Sequence, residues 1–151
     1  MRRQAPEAAL QKAVAAYAWA VLPREVIWSA IPSGGGGKIR GAQLQAMGLR
    51  RGLPDLLFMW SVPGSPGVPV IRWIELKSDK GRMSPEQIEF ANAAQALGHK
   101  HAVCRTVDEV ARALKEWGVP SREAGYRGPG TILYHERLKG TLFQTHPSRK
   151  P

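Results

Sequence analysis

Apolar positions recur at helical spacing from Pro6 to Leu22. Leu10, Val14, Tyr17, Ala18 and Val21 fall on one stripe; Pro6 and Glu7 suit a first turn, and Pro23 stops the run. Glu25 to Ile31 is rich in β-formers and predicts a strand, followed by the flexible loop Pro32-Ser33-Gly34-Gly35-Gly36-Gly37. Gly41 to Met47 predicts a short helix ending at Gly48. Leu53 to Trp60 predicts a second strand and Val70 to Lys77 a third. The turn-rich stretch Ser61 to Pro69 between them is short enough for a hairpin. Ser84-Pro85-Glu86-Gln87 starts a helix with a cap, a first-turn proline and a capping box, and the run lasts to Leu97 before Gly98. His101 to Arg105 predicts a fourth strand. Thr106-Val107-Asp108-Glu109 repeats the capping pattern, and a last helix runs to Trp117 before Gly118. The order is helix, three strands, helix, strand, helix: an α/β chain.

A chain of 151 residues makes one domain with a real core. Its formal charge of +10 changes the picture, because so basic a small protein usually meets a polyanion, nucleic acid first. No helix carries the Lys-rich polar face that a membrane surface would favour. The basic start Met1-Arg2-Arg3-Gln4 is followed by an Ala-rich segment with Glu7, Gln11 and Lys12, which fits neither a signal peptide nor a membrane span. A single cysteine, Cys104, excludes an intrachain disulfide and thiolate metal clusters and fits a cytoplasmic protein. Residues 1–118 read as the folded domain. Residues 119–151 read as a basic extension rich in glycine and proline, with +4 of the charge after Pro120 and a role in touching DNA or covering the domain.

The chemistry concentrates at one place. Asp55 opens the second strand, and Glu75 and Lys77 close the third. Residues two apart on a strand share a face, so Glu75 and Lys77 project together and Leu76 turns away. Two carboxylates and one ammonium at one spot suit phosphodiester hydrolysis with a hard cation such as Mg²⁺. Asp55 and Glu75 are the expected ligands, with the Leu76 backbone carbonyl as a further oxygen. Lys77 either orients water or steadies the phosphate. Glu7 is either a further ligand, directly or through water, or a first-turn residue favouring the helix dipole. Gln87 either completes a capping box or also serves the site. Each residue has an ordinary alternative: Asp55 as a turn residue, Glu75 and Lys77 as an exposed salt bridge. The conjunction of Pro-Asp, hairpin, Glu-x-Lys and helix sets them apart. Lys38, Arg40, Arg50, Arg51, Lys80 and Arg82 flank the site and are candidate phosphate contacts. Gly37-Lys38 is no phosphate loop, because Ile39 stands where Ser or Thr is needed. His99 and His101 lack other residues at ligand spacing, Cys104 reads as core, and Trp60 and Trp73 lie near the site in sequence.

With these motifs the chain resembles the virus-type replication-repair nuclease (VRR-NUC) domain family of the PD-(D/E)xK nuclease superfamily. The matching stretches are Gly41-Ala42 to Met47-Gly48, Gly52-Leu53-Pro54-Asp55-Leu56, Ile74-Glu75-Leu76-Lys77, Gly81-Arg82-Met83-Ser84-Pro85-Glu86-Gln87 and Ala102-Val103-Cys104-Arg105. The resemblance implies an αβββαβα core with a central mixed sheet flanked by helices, and Mg²⁺ or Mn²⁺ dependence. It also implies a structure-selective DNA endonuclease. Stand-alone members, from phages and bacteria, are similar to Holliday-junction resolvases and are expected to be homodimers. The family's Asp, Glu and Lys fall on Asp55, Glu75 and Lys77, its helix-one Glu on Glu7, and its serine and glutamine on Ser84 and Gln87. Two alternatives stand beside the resolvase: a nuclease that cuts plain duplex or flaps, and a DNA-binding module without catalysis.

Overall fold

The structure, a computed structural model, describes residues 6–31 and 37–122, apart from the side chains of Lys38 and Arg40. Helix α1 (Pro6–Val21) is followed by β1 (Ile27–Ala30), α2 (Gly37–Ala46), β2 (Leu56–Ser61), β3 (Pro69–Leu76), α3 (Pro85–Ala96), β4 (Lys100–Cys104) and α4 (Val107–Glu116). The four strands form one mixed sheet in chain order, β1-β2-β3-β4. The first three are antiparallel neighbours and β4 runs parallel to β3. The parallel pair needs a crossover, and α3 supplies it.

Strand alternation sorts the side chains into two layers. Leu56, Phe58 and Trp60 of β2, Ile74 and Leu76 of β3 and Cys104 of β4 pack with Val14 and Ala18 of α1 and Val110 and Leu114 of α4. The α1 stripe read from spacing is the stripe that faces this core, with Leu10, Tyr17 and Val21 partly buried against it. On the opposite face Trp73 meets Phe90 of α3 edge-on, centroids 5.0 Å apart. Trp60 lies on the core face and so points away from the Glu75 face. Cys104 is buried, and its thiol is pushed up to about 11, chiefly by burial and then by Glu109.

Two element starts differ from expectation by three residues or more, and the other strand boundaries shift by one or two. β2 starts at Leu56 rather than Leu53, so Asp55 lies just ahead of the strand. Gly52 turns at φ +79°, and Pro54 has no N–H for a ladder. α2 starts at Gly37, four residues before Gly41, and ends at Ala46. Past α4, Val119 is buried in the core and the Arg122 N–H donates to Val21 O at 2.6 Å. The loop at residues 32–36 and the extension from residue 123 onward lie outside the described residues.

Candidate active site

Leu56 pairs with Ile74 across the β2–β3 hairpin, so one step further Asp55 faces Glu75. The Ile31 N–H donates to Asp55 O at 2.8 Å, which extends the β1–β2 ladder to this residue. Asp55 is tied to β3 as well: the Leu76 N–H donates to Asp55 Oδ2 at 2.7 Å. The Lys77 N–H donates to Cys104 O at 3.0 Å, continuing the β3–β4 pairing past the end of the strand. Strand pairing on three sides therefore fixes Asp55, Glu75 and Lys77.

Glu75 is 1 % exposed and Lys77 9 %. Their ion pair, Lys77 Nζ to Glu75 Oε1 at 2.6 Å, is thus a buried one and not a solvated surface pair. Gln87 Nε2 donates to the same Oε1 at 2.5 Å. Gln87 also closes the capping box of α3. Its N–H donates to Ser84 Oγ at 3.3 Å, and its Oε1 accepts from the Ser84 N–H at 2.8 Å. The two readings of Gln87 are therefore not alternatives; one amide serves both. Ser84 stays at the cap and acts on Glu75 only through Gln87.

Glu75 Oε2 is buried and has no hydrogen-bond partner among the described residues. Burial raises the Glu75 carboxyl above its ordinary range, and the facing Asp55 raises it further, against the Lys77 and Gln87 contacts. Asp55 is raised too, first by burial and then by Glu7, against the Leu76 N–H and Lys77. Two facing carboxylates pushed up in this way, one with an orphan oxygen, form an oxygen donor set suited to a hard divalent cation. Among the described residues no three His, Cys, Asp or Glu side chains converge on one point. A cation here would find two carboxylates and would need backbone, water or substrate oxygen for the rest of its shell. Glu7 lies at the rim, where its Oε1 accepts from the Ser78 N–H at 3.3 Å.

The basic candidates lie on the segments that precede Asp55 and follow Lys77 in the chain. Lys80 and Arg82 are exposed on the segment after Lys77. Arg51 is exposed on the approach to Asp55. Arg50, also exposed there, lies 3.6 Å from Glu89 and stacks over Phe90, 5.8 Å from the ring centroid. The side chains of Lys38 and Arg40 lie outside the described residues. His99 and His101 line an open cavity of about 330 Å³ with Gln95 and Trp117, near the start of β4 and away from the carboxylates.

Two residues carry more than sequence reading assigned them. Gly52 stands against the first turn of α3: a Cβ there would lie 2.3 Å from Glu86 O and 2.8 Å from Gln87 N. The glycine of the Gly-x-Pro-Asp motif thus lets the Asp55 loop and the Gln87 helix approach each other. Arg105 reaches back across the sheet to the loop after Lys77. It donates from Nη1 to Ser78 O and from Nη2 to Gly81 O at 3.0 Å. No local pattern announces either contact.

The model of the VRR-NUC domain matches residues 25–108, more than half of the chain. The chain belongs to the VRR-NUC domain family. The match takes in Asp55, Glu75, Lys77, Ser84 and Gln87, and leaves Glu7 on α1 outside. A solved structure described as a VRR-NUC domain protein is similar in fold. Its TM-score is 0.57 at 16 % identity, over 78 % of this chain and 93 % of that one. No curated protein matches the chain. VRR-NUC membership makes this a nuclease-type domain with DNA as its partner. No helix among the described residues is long and apolar enough to cross a membrane.

Proposed function

We propose that this protein is a metal-dependent, structure-selective DNA endonuclease that resolves four-way junctions or related branched DNA as a homodimer. The observation that carries the metal-dependent part is the buried Glu75: it faces Asp55, holds Lys77 at 2.6 Å and has one oxygen without a partner among the described residues. A fold without catalysis gains nothing from a buried carboxylate facing a second, half-buried one that repels it beside an ammonium. Mg²⁺, or Mn²⁺ in its place, would be held by the carboxylates of Asp55 and Glu75 and the carbonyl of Leu76. When bound, it supplies Lewis acidity for the phosphate and the attacking water. The chain's own groups do the rest. Gln87 and Lys77 hold Glu75 Oε1 from two sides, which leaves Oε2 as the free acceptor. The buried Lys77 ammonium has little freedom and is aligned to meet a phosphate oxygen or the attacking water. Exposed Arg51, Lys80 and Arg82 grip flanking phosphates. Symmetric nicking of a four-way junction needs two sites related by a two-fold axis, which is the argument for a homodimer.

The test is cleavage of a labelled four-way junction beside duplex, fork and single strand, with Mg²⁺, Mn²⁺ or chelator, using wild type, Lys77→Ala and Asp55→Asn. The expected result is paired symmetric nicks on the junction, abolished by chelator and lowered by at least about a hundredfold in either variant, with DNA binding retained. Cutting of duplex or flaps instead keeps the nuclease and discards the resolvase. Binding without any cutting sinks both.

A further inference from the structure

We propose that Arg105 is a positioning residue: its guanidinium fixes the Ser78–Gly81 turn so that Lys80 meets a DNA phosphate beside the Asp55–Glu75 pair. This rests on the nuclease reading above. The turn starts one residue after Lys77. Its Gly81 N–H donates to Ser78 O at 2.9 Å, the bond that closes a four-residue β-turn with Asp79 and Lys80 at the tip. Arg105 holds both ends of that turn. One arm of the fork donates to Ser78 O and the other to Gly81 O at 3.0 Å. A planar guanidinium with two acceptors defines an orientation, whereas a single bond would leave a pivot.

Arg105 is itself held. Its N–H donates to Glu109 Oε2 at 2.6 Å, within the first turn of α4. On the other side of the turn, the Ser78 N–H donates to Glu7 Oε1 at 3.3 Å. A Cβ on Gly81 would lie 3.0 Å from Ser78 Oγ and 3.1 Å from Glu7 Oε1, so there is little room to shift. The turn is gripped between Glu7 of α1 and Arg105, which follows β4.

The tip gives this grip a consequence. Asp79 and Lys80 are adjacent, exposed and of opposite charge. A modest rotation of the turn exchanges which of them faces an approaching phosphate. An unrestrained turn would therefore present an average of attraction and repulsion, whereas a clamped turn presents one.

The experiment measures binding of a fluorescein-labelled DNA duplex in chelator from about 50 to 200 mM salt, where each lost phosphate contact lowers the slope of log K against log salt by about one. Wild type, Lys80→Ala, Arg105→Ala and the double variant are compared. Arg105→Lys keeps charge and reach without the fork, and is read in place of Arg105→Ala if that variant fails to fold. The expected result is the same loss of slope in Lys80→Ala, in Arg105→Ala and in the double, since removing the clamp and removing the clamped charge are one event. Summed losses in the double mean that Arg105 acts on DNA independently, and overturn the proposal. So does an unchanged slope in Lys80→Ala, or an Arg105 variant that lowers only the melting temperature. Wild-type cleavage of DNA with Mg²⁺ is scored beside it, so that a failure of the nuclease reading is seen separately from a failure of the clamp.

Discussion

Glu75 and Asp55 are carboxylates placed where carboxylates are costly. Both are shifted upward, with burial as the first cause. A carboxyl whose folded-state pKa exceeds its unfolded value destabilises the fold fully above the folded value. That penalty fades as pH falls through the folded value and is gone below the unfolded one. Asp55→Asn removes one such charge and keeps an oxygen for the Leu76 N–H, which now reaches Oδ2 at 2.7 Å. In chelator at neutral pH the variant should therefore melt a few degrees higher than wild type, roughly what 1 kcal/mol does in a domain of this size. The gap should close on acidification through the carboxylate range. Calorimetry across pH checks this, and a variant that melts lower at neutral pH shows that the pair is not frustrated. That the candidate residues Asp55, Glu75 and Lys77 come together was legible in sequence, because each has a distinctive neighbour: Pro before Asp55, and an Ile-Glu-Leu-Lys run ending a strand. The burial of the Glu75–Lys77 pair was not legible, because Glu-x-Lys has the same letters at a solvated surface.

At the scale of elements, Gly52 governs how the Asp55 loop meets α3. Gly52→Ala meets two obstacles, a φ of +79° and a backbone oxygen 2.3 Å from the new Cβ. Gly64 has the same φ of +79° but open space around it. Gly64→Ala should cost about 1 kcal/mol from the backbone alone, and Gly52→Ala at least about 2 to 3 kcal/mol. Denaturant unfolding of the two variants isolates the contact, and equal losses would mean that α3 simply moves aside. If α3 stays displaced, Gln87 leaves Glu75 and cleavage falls at temperatures where the variant is still folded. Periodicity and cap chemistry are local, so the α1 stripe, the hairpin and the Ser84 cap stand where the sequence places them. The first turn of α2 does not, because glycine at its start scores as loop. The Gln87 bond to Glu75 spans 12 positions, and the Arg105 bonds span 24 and 27. Separations of that kind are set by how elements pack, and no window of sequence contains them.

For the molecule as a whole, a pair of repelling carboxylates makes stability depend on what neutralises them. A cation that binds only the folded state stabilises it by about 2.7 kcal/mol at a hundred times its Kd. Wild type should therefore melt higher in Mg²⁺ than in chelator, and Asp55→Asn should lose most of that difference. Equal shifts in both would place cation binding elsewhere on the chain. The +10 charge acts in the opposite sense, since it favours a polyanion and opposes free cations at long range, and high salt weakens both effects. The order of strands carries one more consequence. Asp55 and Glu75 lie on the two arms of a single hairpin, and the Asp55–Leu76 bond spans 21 positions. Closing such a hairpin takes on the order of microseconds and needs nothing downstream of it. The groups that immobilise Lys77 and the turn after it, Cys104 and Arg105, arrive only with the parallel strand, whose longer crossover is the slower closure. On a ribosome the acid pair is thus synthesised first and free to pair first, and the basic clamp comes last, so this topology favours assembling the carboxylate half of the candidate site before its basic half.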